Sequence, residues 1–151
     1  MQLTKILLCS IPSDSHTWNL VYLQMWLEER GYEVLNIGCC SLPKDIISGV
    51  RRFDPDLVVI STVNGHGAIE GLGLINALRR EEILNNRPIV IGGKLAVDEK
   101  VEREQALVLE SAGFDGVFIG PTAVSAFSHY LRFGRTTEPI LSAVNTAYGC
   151  Y

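Results

Sequence analysis

The sequence has few cysteines, and they are not spaced as metal-binding or redox pairs. Four occur among the 151 residues, at positions 9, 39, 40 and 150. A zinc knuckle or a dithiol redox motif needs two cysteines separated by two residues, and no pair in this sequence has that spacing. We therefore predict that the cysteines are free thiols.

The sequence also lacks a long apolar run and an excess of positive charge. The first apolar run, residues 6–11, is interrupted by Cys9 and Ser10 and is followed by Pro12 and Asp14, so it is too short for a signal peptide or a membrane span. Thirteen Lys and Arg stand against seventeen Asp and Glu, a net charge of −4, which gives no general attraction to nucleic acid or anionic membranes. We expect a cytoplasmic protein with neither as a partner.

What the sequence does contain is the composition and alternation of a folded α/β domain. Hydrophobic residues make up 47% and charged residues 20% of the chain, which are ordinary globular proportions. Short apolar runs alternate with longer amphipathic stretches, a pattern typical of repeated βα units around a parallel sheet. The pattern predicts strands at residues 5–9, 33–37, 57–61, 89–91 and 116–119, and helices at 18–30, 43–53, 68–84, 101–112 and 122–133.

Large apolar side chains recur along the first predicted helix. They fall at i, i+3, i+4, i+7 and i+8, which places them on a single helical face: Trp18, Val21, Tyr22, Met25 and Trp26. Apolar residues with this spacing usually face the core of a globular domain. We predict that this face of the helix is buried.

The five βα units predict a flavodoxin-like, doubly wound parallel sheet with strand order 2-1-3-4-5. A chain of this length forms a single domain, which we place at residues 1–133, with residues 134–151 as a C-terminal tail. Ligands of such sheets bind at the carboxyl ends of the strands, where the strand order reverses between strands 1 and 3. The informative loops are therefore residues 10–17 and 61–67.

These two loops argue against two common functions of the fold. A phosphate cradle for flavin mononucleotide needs backbone N–H groups and no negative charge, but Pro12 lacks an N–H and Asp14 would repel phosphate. A phosphoacceptor receiver domain needs an aspartate at the end of strand 3, where this sequence has Ser61. The remaining interpretation is a metal or metallo-cofactor site at His16.

Asp14 lies two residues before His16 in the first of these loops. An imidazole that binds a metal through one nitrogen usually donates its other N–H to a carboxylate. Asp14 could equally cap the first helix, with His16 as a solvated turn residue. The pair alone leaves both interpretations open.

A series of short motifs resembles the cobalamin (B12)-binding domain family. Residues 14–19, D-S-H-T-W-N, follow the first strand and are similar to the D-x-H-x-x-G signature of that family. The similarity continues through residues 31–38, residues 61–63 (S-T-V, where the family has S-x-L), the glycine pair 92–93 and residues 113–115. It covers most of residues 3–130. Asn19 stands where the signature has glycine, and the resemblance implies that its side chain would project toward the corrin or its nucleotide tail.

The resemblance implies a role for each matched residue. His16 would be the lower axial ligand of cobalt, with Asp14 as the hydrogen-bond partner of its ring. The rest of that loop would surround the lower corrin face: Ser13, Ser15 and Thr17. The nucleotide tail would enter a slot beside strand 3, formed by Ser61, Thr62, Val63, Gly65, Gly92 and Gly93, with a far wall of Gly93, Lys94, Leu95, Ala96 and Val97.

Within this family the sequence looks most like the small, cobalamin-binding subunits of glutamate mutase (methylaspartate mutase). That implies adenosylcobalamin (cobalt) as the cofactor of an isomerase that interconverts L-glutamate and 3-methylaspartate, active only with a separate barrel-type large subunit that carries the substrate site. Two alternatives stay open: a corrinoid-carrying methyl-transfer module or cobalamin-responsive binding protein, and a degenerate domain that no longer binds cobalamin. Methyl carriers normally have a helical cap before the first strand, which is predicted here to begin at residue 5, and this favours the mutase.

Overall fold

A computed structural model describes residues 2–134 of the chain. Five parallel strands form one sheet there: β1 (Lys5–Cys9), β2 (Glu33–Asn36), β3 (Leu57–Thr62), β4 (Ile89–Gly93) and β5 (Gly116–Phe118). Their order is β2-β1-β3-β4-β5, with every neighbouring pair parallel. The predicted flavodoxin-like fold and strand order are confirmed, while the predicted tail lies, from residue 135 onward, outside the described residues.

Helices cover both faces of the sheet. Within residues 2–134 they are α1 (Trp18–Glu28), α2 (Pro43–Phe53), α3 (Gly67–Leu78), α4 (Glu99–Ala112) and α5 (Ala123–Phe133). Successive strand residues point to opposite faces, so Leu7 packs in the cluster beneath α2, α3 and α4, whereas Leu8 packs in the cluster beneath α1 and α5. Because both faces are covered, the central strands are apolar along nearly their whole length.

The prediction that the large side chains of α1 form its core face is wrong. Trp18, Tyr22 and Met25 are 83%, 69% and 57% exposed. The helix instead packs on the sheet through Leu20 and Leu27, which lie seven residues apart and are fully buried. Because α1 carries apolar residues all round, their periodicity could not decide which stripe faces the sheet.

The other two residues of the predicted face, Val21 and Trp26, are half-buried. The ring of Trp26 stacks on Phe127 of α5, with 5.9 Å between ring centroids. The guanidinium carbon of Arg30 lies over the Trp26 ring, 3.6 Å from its centroid, and Arg30 donates a hydrogen bond to the Trp26 carbonyl oxygen at 2.9 Å. This contact closes the carboxyl end of α1, where a cation also favours the helix dipole.

The largest boundary difference concerns α3, which was predicted to reach residue 84. The helix ends at Leu78, and a short 3₁₀ helix, Glu82–Leu84, follows after a turn. The guanidinium of Arg79 donates hydrogen bonds to the carbonyl oxygens of Leu84 and Arg87. These bonds hold the chain folded back on the end of α3, an arrangement that a continuous helix cannot adopt.

The carboxyl ends of β1, β3 and β4 meet at one edge of the sheet. In the register, Cys9 of β1 pairs with Ile60 of β3, and Thr62 of β3 pairs with Gly93 of β4. The loops that follow these three strands therefore lie side by side. Among the described residues, no helix is long and apolar enough to cross a membrane.

Candidate functional site

The loop after β1 carries a buried carboxylate paired with an exposed imidazole. Asp14 is fully buried, and its Oδ1 lies 2.7 Å from Nδ1 of His16. The same oxygen accepts the backbone N–H of His16 at 2.9 Å. When Nδ1 donates its proton to the carboxylate, the other ring nitrogen, Nε2, keeps its lone pair. Because the His16 side chain is 60% exposed, this nitrogen is available to a ligand.

The second carboxylate oxygen of Asp14 is bound by the end of β3. Oδ2 accepts the hydroxyl of Thr62 at 2.6 Å and the backbone N–H of Val63 at 2.9 Å. The carbonyl oxygen of Asp14 accepts the backbone N–H of Cys40, after β2, at 2.8 Å. The interpretation of Asp14 as the cap of α1 is therefore wrong: the N-cap position is Thr17, and Asp14 instead joins three loops.

These contacts set the protonation state of Asp14. Burial alone would raise the pKa of its carboxyl, but hydrogen bonds from the Thr62 hydroxyl, the His16 and Val63 backbone and the His16 ring outweigh burial and lower the pKa to about 2. Asp14 is thus a carboxylate at neutral pH. A fixed negative charge behind the ring makes Nε2 a better electron donor to a metal.

Ser13 joins the same loop to α3. The carboxylate of Glu70 accepts both the backbone N–H of Ser13, at 3.2 Å, and its hydroxyl. The side-chain amide of Asn64, from the loop after β3, donates to the Ser13 hydroxyl oxygen at 3.0 Å. Ser15 and Thr17, on either side of His16, are exposed. The loops after β1 and β3 are thereby held together around the imidazole.

The predicted far wall, residues 93–97, divides into exposed and buried parts. Lys94 and Val97 are exposed. Leu95 and Ala96 are buried, and their backbone N–H groups donate to one carboxylate oxygen of the buried Glu102 at 2.7 and 3.1 Å. The Leu95 side chain belongs to the core. Only the exposed members of this segment can present side chains to a ligand.

The glycines of the predicted slot lie against neighbouring protein atoms. A Cβ on Gly92 would lie 2.8 Å from the carbonyl oxygen of Phe118, and a Cβ on Gly93 would lie 2.0 Å from the carbonyl oxygen of Thr62. Gly93 also has a φ of +111°, which disfavours any side chain. Close strand packing therefore requires glycine at both positions. Their role, and that of Gly65, around a nucleotide tail stays a prediction.

Two buried side-chain atoms near the carboxyl edge of the sheet, one after β1 and one in α1, have no hydrogen-bond partner among the described residues. The half-buried Ser61 lies with its Oγ 3.4 Å from Nδ2 of Asn19, in the first turn of α1. Within residues 2–134, Oδ1 of Asn19 and Oγ of Ser10 are buried and have no partner. Such atoms are rare in folded proteins, and a polar ligand can satisfy them.

The donor set at this edge fits a cobalt ion carried in a corrin. A corrin supplies the equatorial nitrogens of its cobalt, so the protein needs to add a single axial ligand. Nε2 of His16 has the free lone pair that such a ligand needs, and the Asp14 carboxylate fixes its ring as a metal-binding imidazole requires. In the described part of the chain, no group of three or more His, Cys, Asp or Glu side chains could hold a metal without a macrocycle.

Sequence reasoning missed several residues that shape this site: Cys40, Asn64, Glu70 and Glu102. Cys40 lies 26 residues from its partner Asp14, and Glu70 lies 57 residues from its partner Ser13. No local spacing signals such contacts. A carboxylate in the first turn of a helix that follows a site loop was the only available sign of Glu70.

Curated proteins similar to this chain include subunits of one enzyme. The glutamate mutase sigma subunit of Fusobacterium nucleatum is 31% identical over 115 residues, which cover 76% of this chain and 83% of that protein. The glutamate mutase sigma subunit 1 of Haloarcula marismortui is 28% identical over 117 residues, covering 78% of this chain and 76% of the relative.

A solved structure with the same fold is a cobalamin-binding protein from Desulfitobacterium hafniense. It superposes with a TM-score of 0.64 at 20% sequence identity, covering 85% of this chain and 59% of that protein. This chain therefore spans less than two thirds of that structure, and the likeness shows the fold alone.

The family match covers the whole sheet and every loop of the candidate site. The model of the B12 binding domain family matches residues 4–127, from the residue before β1 into α5. That range contains the Asp14–His16 pair, the Ser61–Val63 segment and the glycine pair of β4. The chain belongs to the B12 binding domain family.

Proposed function

We propose that this chain binds cobalamin with Nε2 of His16 as the lower axial ligand of cobalt. We further propose that it is the small subunit of an adenosylcobalamin-dependent glutamate mutase, an isomerase that interconverts L-glutamate and 3-methylaspartate. The observation that carries the proposal is the hydrogen bond between His16 Nδ1 and the buried Asp14 carboxylate, at 2.7 Å. Support for the mutase assignment comes from the relatives named glutamate mutase sigma subunit.

The chain's own residues position the ligand. Asp14 holds the imidazole by one oxygen and the end of β3 by the other, so the His16 ring is fixed relative to the sheet before any cofactor arrives. A preorganised ligand of this kind loses little conformational entropy on binding. Ser13, Ser15 and Thr17 line the loop, and Ser61 offers a hydroxyl to the base of the nucleotide tail.

The proposed reaction needs a second protein surface. Bound adenosylcobalamin supplies homolysis of a cobalt–carbon bond, the radical chemistry of the rearrangement. A cofactor held by the His16 side chain, which is 60% exposed at the edge of the sheet, would have its opposite face uncovered by this chain, and we propose that a large barrel-type subunit covers that face and carries the substrate site. By linkage, each subunit should raise the affinity of the other for cofactor.

The cofactor half of the proposal is tested by titrating purified protein with cobalamin and following its absorbance. The wild-type chain should bind, whereas His16→Gln should lower the affinity by at least the ten- to hundredfold that losing the hydrogen-bond partner of a metal ligand costs. His66→Gln is the matched control, since His66 is also an exposed loop histidine. Equal loss in both variants, or no binding by the wild-type chain, would contradict the proposal.

The mutase half is tested by the interconversion of glutamate and 3-methylaspartate with adenosylcobalamin. We expect turnover only when this chain and a cognate large subunit are both present. Turnover by this chain alone would contradict the two-subunit proposal. Cobalamin binding without cofactor-promoted association or turnover would instead favour a corrinoid-carrying module for methyl transfer.

A further inference from the structure

Asn19 places a primary amide at the seam where the proposed nucleotide slot adjoins α1. Its Nδ2 lies 3.4 Å from Oγ of Ser61, somewhat longer than the usual range of about 2.7–3.2 Å for an N–H···O hydrogen bond. Its Oδ1 is buried and has no partner among the described residues. A buried carbonyl oxygen left unpaired lowers stability, so this amide has an unused capacity to bind a ligand.

A primary amide whose hydrogen-bonding groups are not fully used can recognise one kind of base edge. An amide donates through its nitrogen and accepts through its oxygen, and it pairs in this bidentate way with the amino group and a ring nitrogen of adenine. The dimethylbenzimidazole base of cobalamin has a ring nitrogen that accepts but no N–H that donates. Next to Asn19 it would leave the buried acceptor unpaired.

We infer that Asn19 selects the corrinoid by its nucleotide base, favouring an amino-substituted purine over dimethylbenzimidazole. The inference rests on the proposed function, because it requires a nucleotide tail that enters beside Ser61. A site with buried polar groups discriminates strongly against an analogue that leaves those groups unpaired. The glycine of the family signature carries no such amide, so its replacement by Asn19 changes the choice of base and does not abolish binding.

The test compares the dissociation constants of adeninylcobamide and cobalamin for the wild-type chain, Asn19→Gly and Asn19→Leu. Asn19→Leu keeps the branched shape and the number of heavy atoms of the side chain without its amide, whereas Asn19→Gly removes both the shape and the amide. Wild type should bind adeninylcobamide at least about tenfold more tightly, which corresponds to about 1.4 kcal/mol. In both variants the preference should fall to near unity. Cobinamide, which lacks the nucleotide, should bind all three proteins equally.

The other possible outcomes distinguish failure of the inference about Asn19 from failure of the proposed function. Equal affinities for the two cobamides in wild type, or a preference for cobalamin, would overturn the inference and leave the proposed function standing. A preference that survives in Asn19→Gly would also overturn it, since another residue would then read the base. If wild type binds neither cobamide but Asn19→Gly binds both, Asn19 blocks the tail and does not select it. If no protein binds any corrinoid, the proposed function itself fails.

Discussion

Replacing Asp14 with asparagine removes hydrogen bonds that the structure makes countable. The carboxylate accepts two hydrogen bonds on each oxygen. An amide has one accepting oxygen, so whichever way it turns, two donors lose their acceptor. If the NH₂ faces β3, the Thr62 hydroxyl can turn to Asn64, 3.3 Å away, but the Val63 N–H stays unpaired. If the NH₂ faces His16, water partly replaces the hydrogen bonds that the His16 backbone N–H and ring lose.

The expected cost follows from these two orientations. A hydrogen bond to a charged group contributes about 1.5–3 kcal/mol, and partial replacement reduces the loss of two such bonds to about 2–4 kcal/mol. Urea unfolding at pH 7 measures the change in free energy of unfolding. A decrease below about 0.5 kcal/mol with an unchanged m value would refute the reasoning, since the Asp14 bonds would then contribute almost nothing.

The same variant separates the two roles of Asp14. Asp14→Asn should lower cobalamin affinity about ten- to hundredfold, because the ring of His16 loses its anionic partner. In a His16→Gln background, Asp14→Asn should hardly lower cobalamin affinity further. It should still destabilise the fold, because it weakens the hydrogen bonds from Thr62 and Val63. Additive losses of affinity in the double variant would show that Asp14 does not act through His16.

Three further outcomes are expected elsewhere in the chain. Hydrogen bonds from the backbone N–H of Lys5 and from the preceding residue lower the pKa of Asp56, so Asp56→Asn should destabilise at pH 7 by about 1–3 kcal/mol. In urea unfolding across a pH series this difference should shrink as the pH falls below about 4, and a pH-independent difference would contradict it. Glu70→Ala should free both Ser13 donors and speed amide hydrogen exchange in the β1–α1 loop; unchanged exchange would count against that contact. Gly93→Ala, with a Cβ 2.0 Å from a carbonyl oxygen, should cost about 2–5 kcal/mol in thermal or urea unfolding, and a neutral effect would be incompatible with the strand register.

The sheet was predictable because its strands have short, nearly all-aliphatic sequences. β1 and α2 have the predicted bounds, since Pro43 marks the start of the helix and polar residues, Thr4 and Ser10, flank the strand. The orientation of α1 was not predictable. Trp18 and Leu20 both belong to apolar stripes, and only the sheet surface determines that Leu20 is the buried one.

The candidate site was predictable as a set of loops but not as a network. Ligands of such sheets bind where the strand order reverses. This rule and the motif spacing together select the loops that contain Asp14, His16 and Ser61. The bond between Asp14 and Thr62 spans 48 residues, and its partners are fixed by strand register, which no local pattern reveals. For the same reason Leu95, predicted in the wall of the slot, belongs to the core.

The identity of the cobalt ligand is tested most directly by electron paramagnetic resonance of the reduced cobalt(II) corrinoid complex. The complex is prepared with unlabelled and with nitrogen-15-labelled protein. If Nε2 of His16 binds cobalt, labelling should change the ligand splitting from the triplet of nitrogen-14 to the doublet of nitrogen-15, and His16→Gln should abolish this dependence. A triplet that labelling leaves unchanged would show that no protein nitrogen binds the cobalt, which contradicts the account.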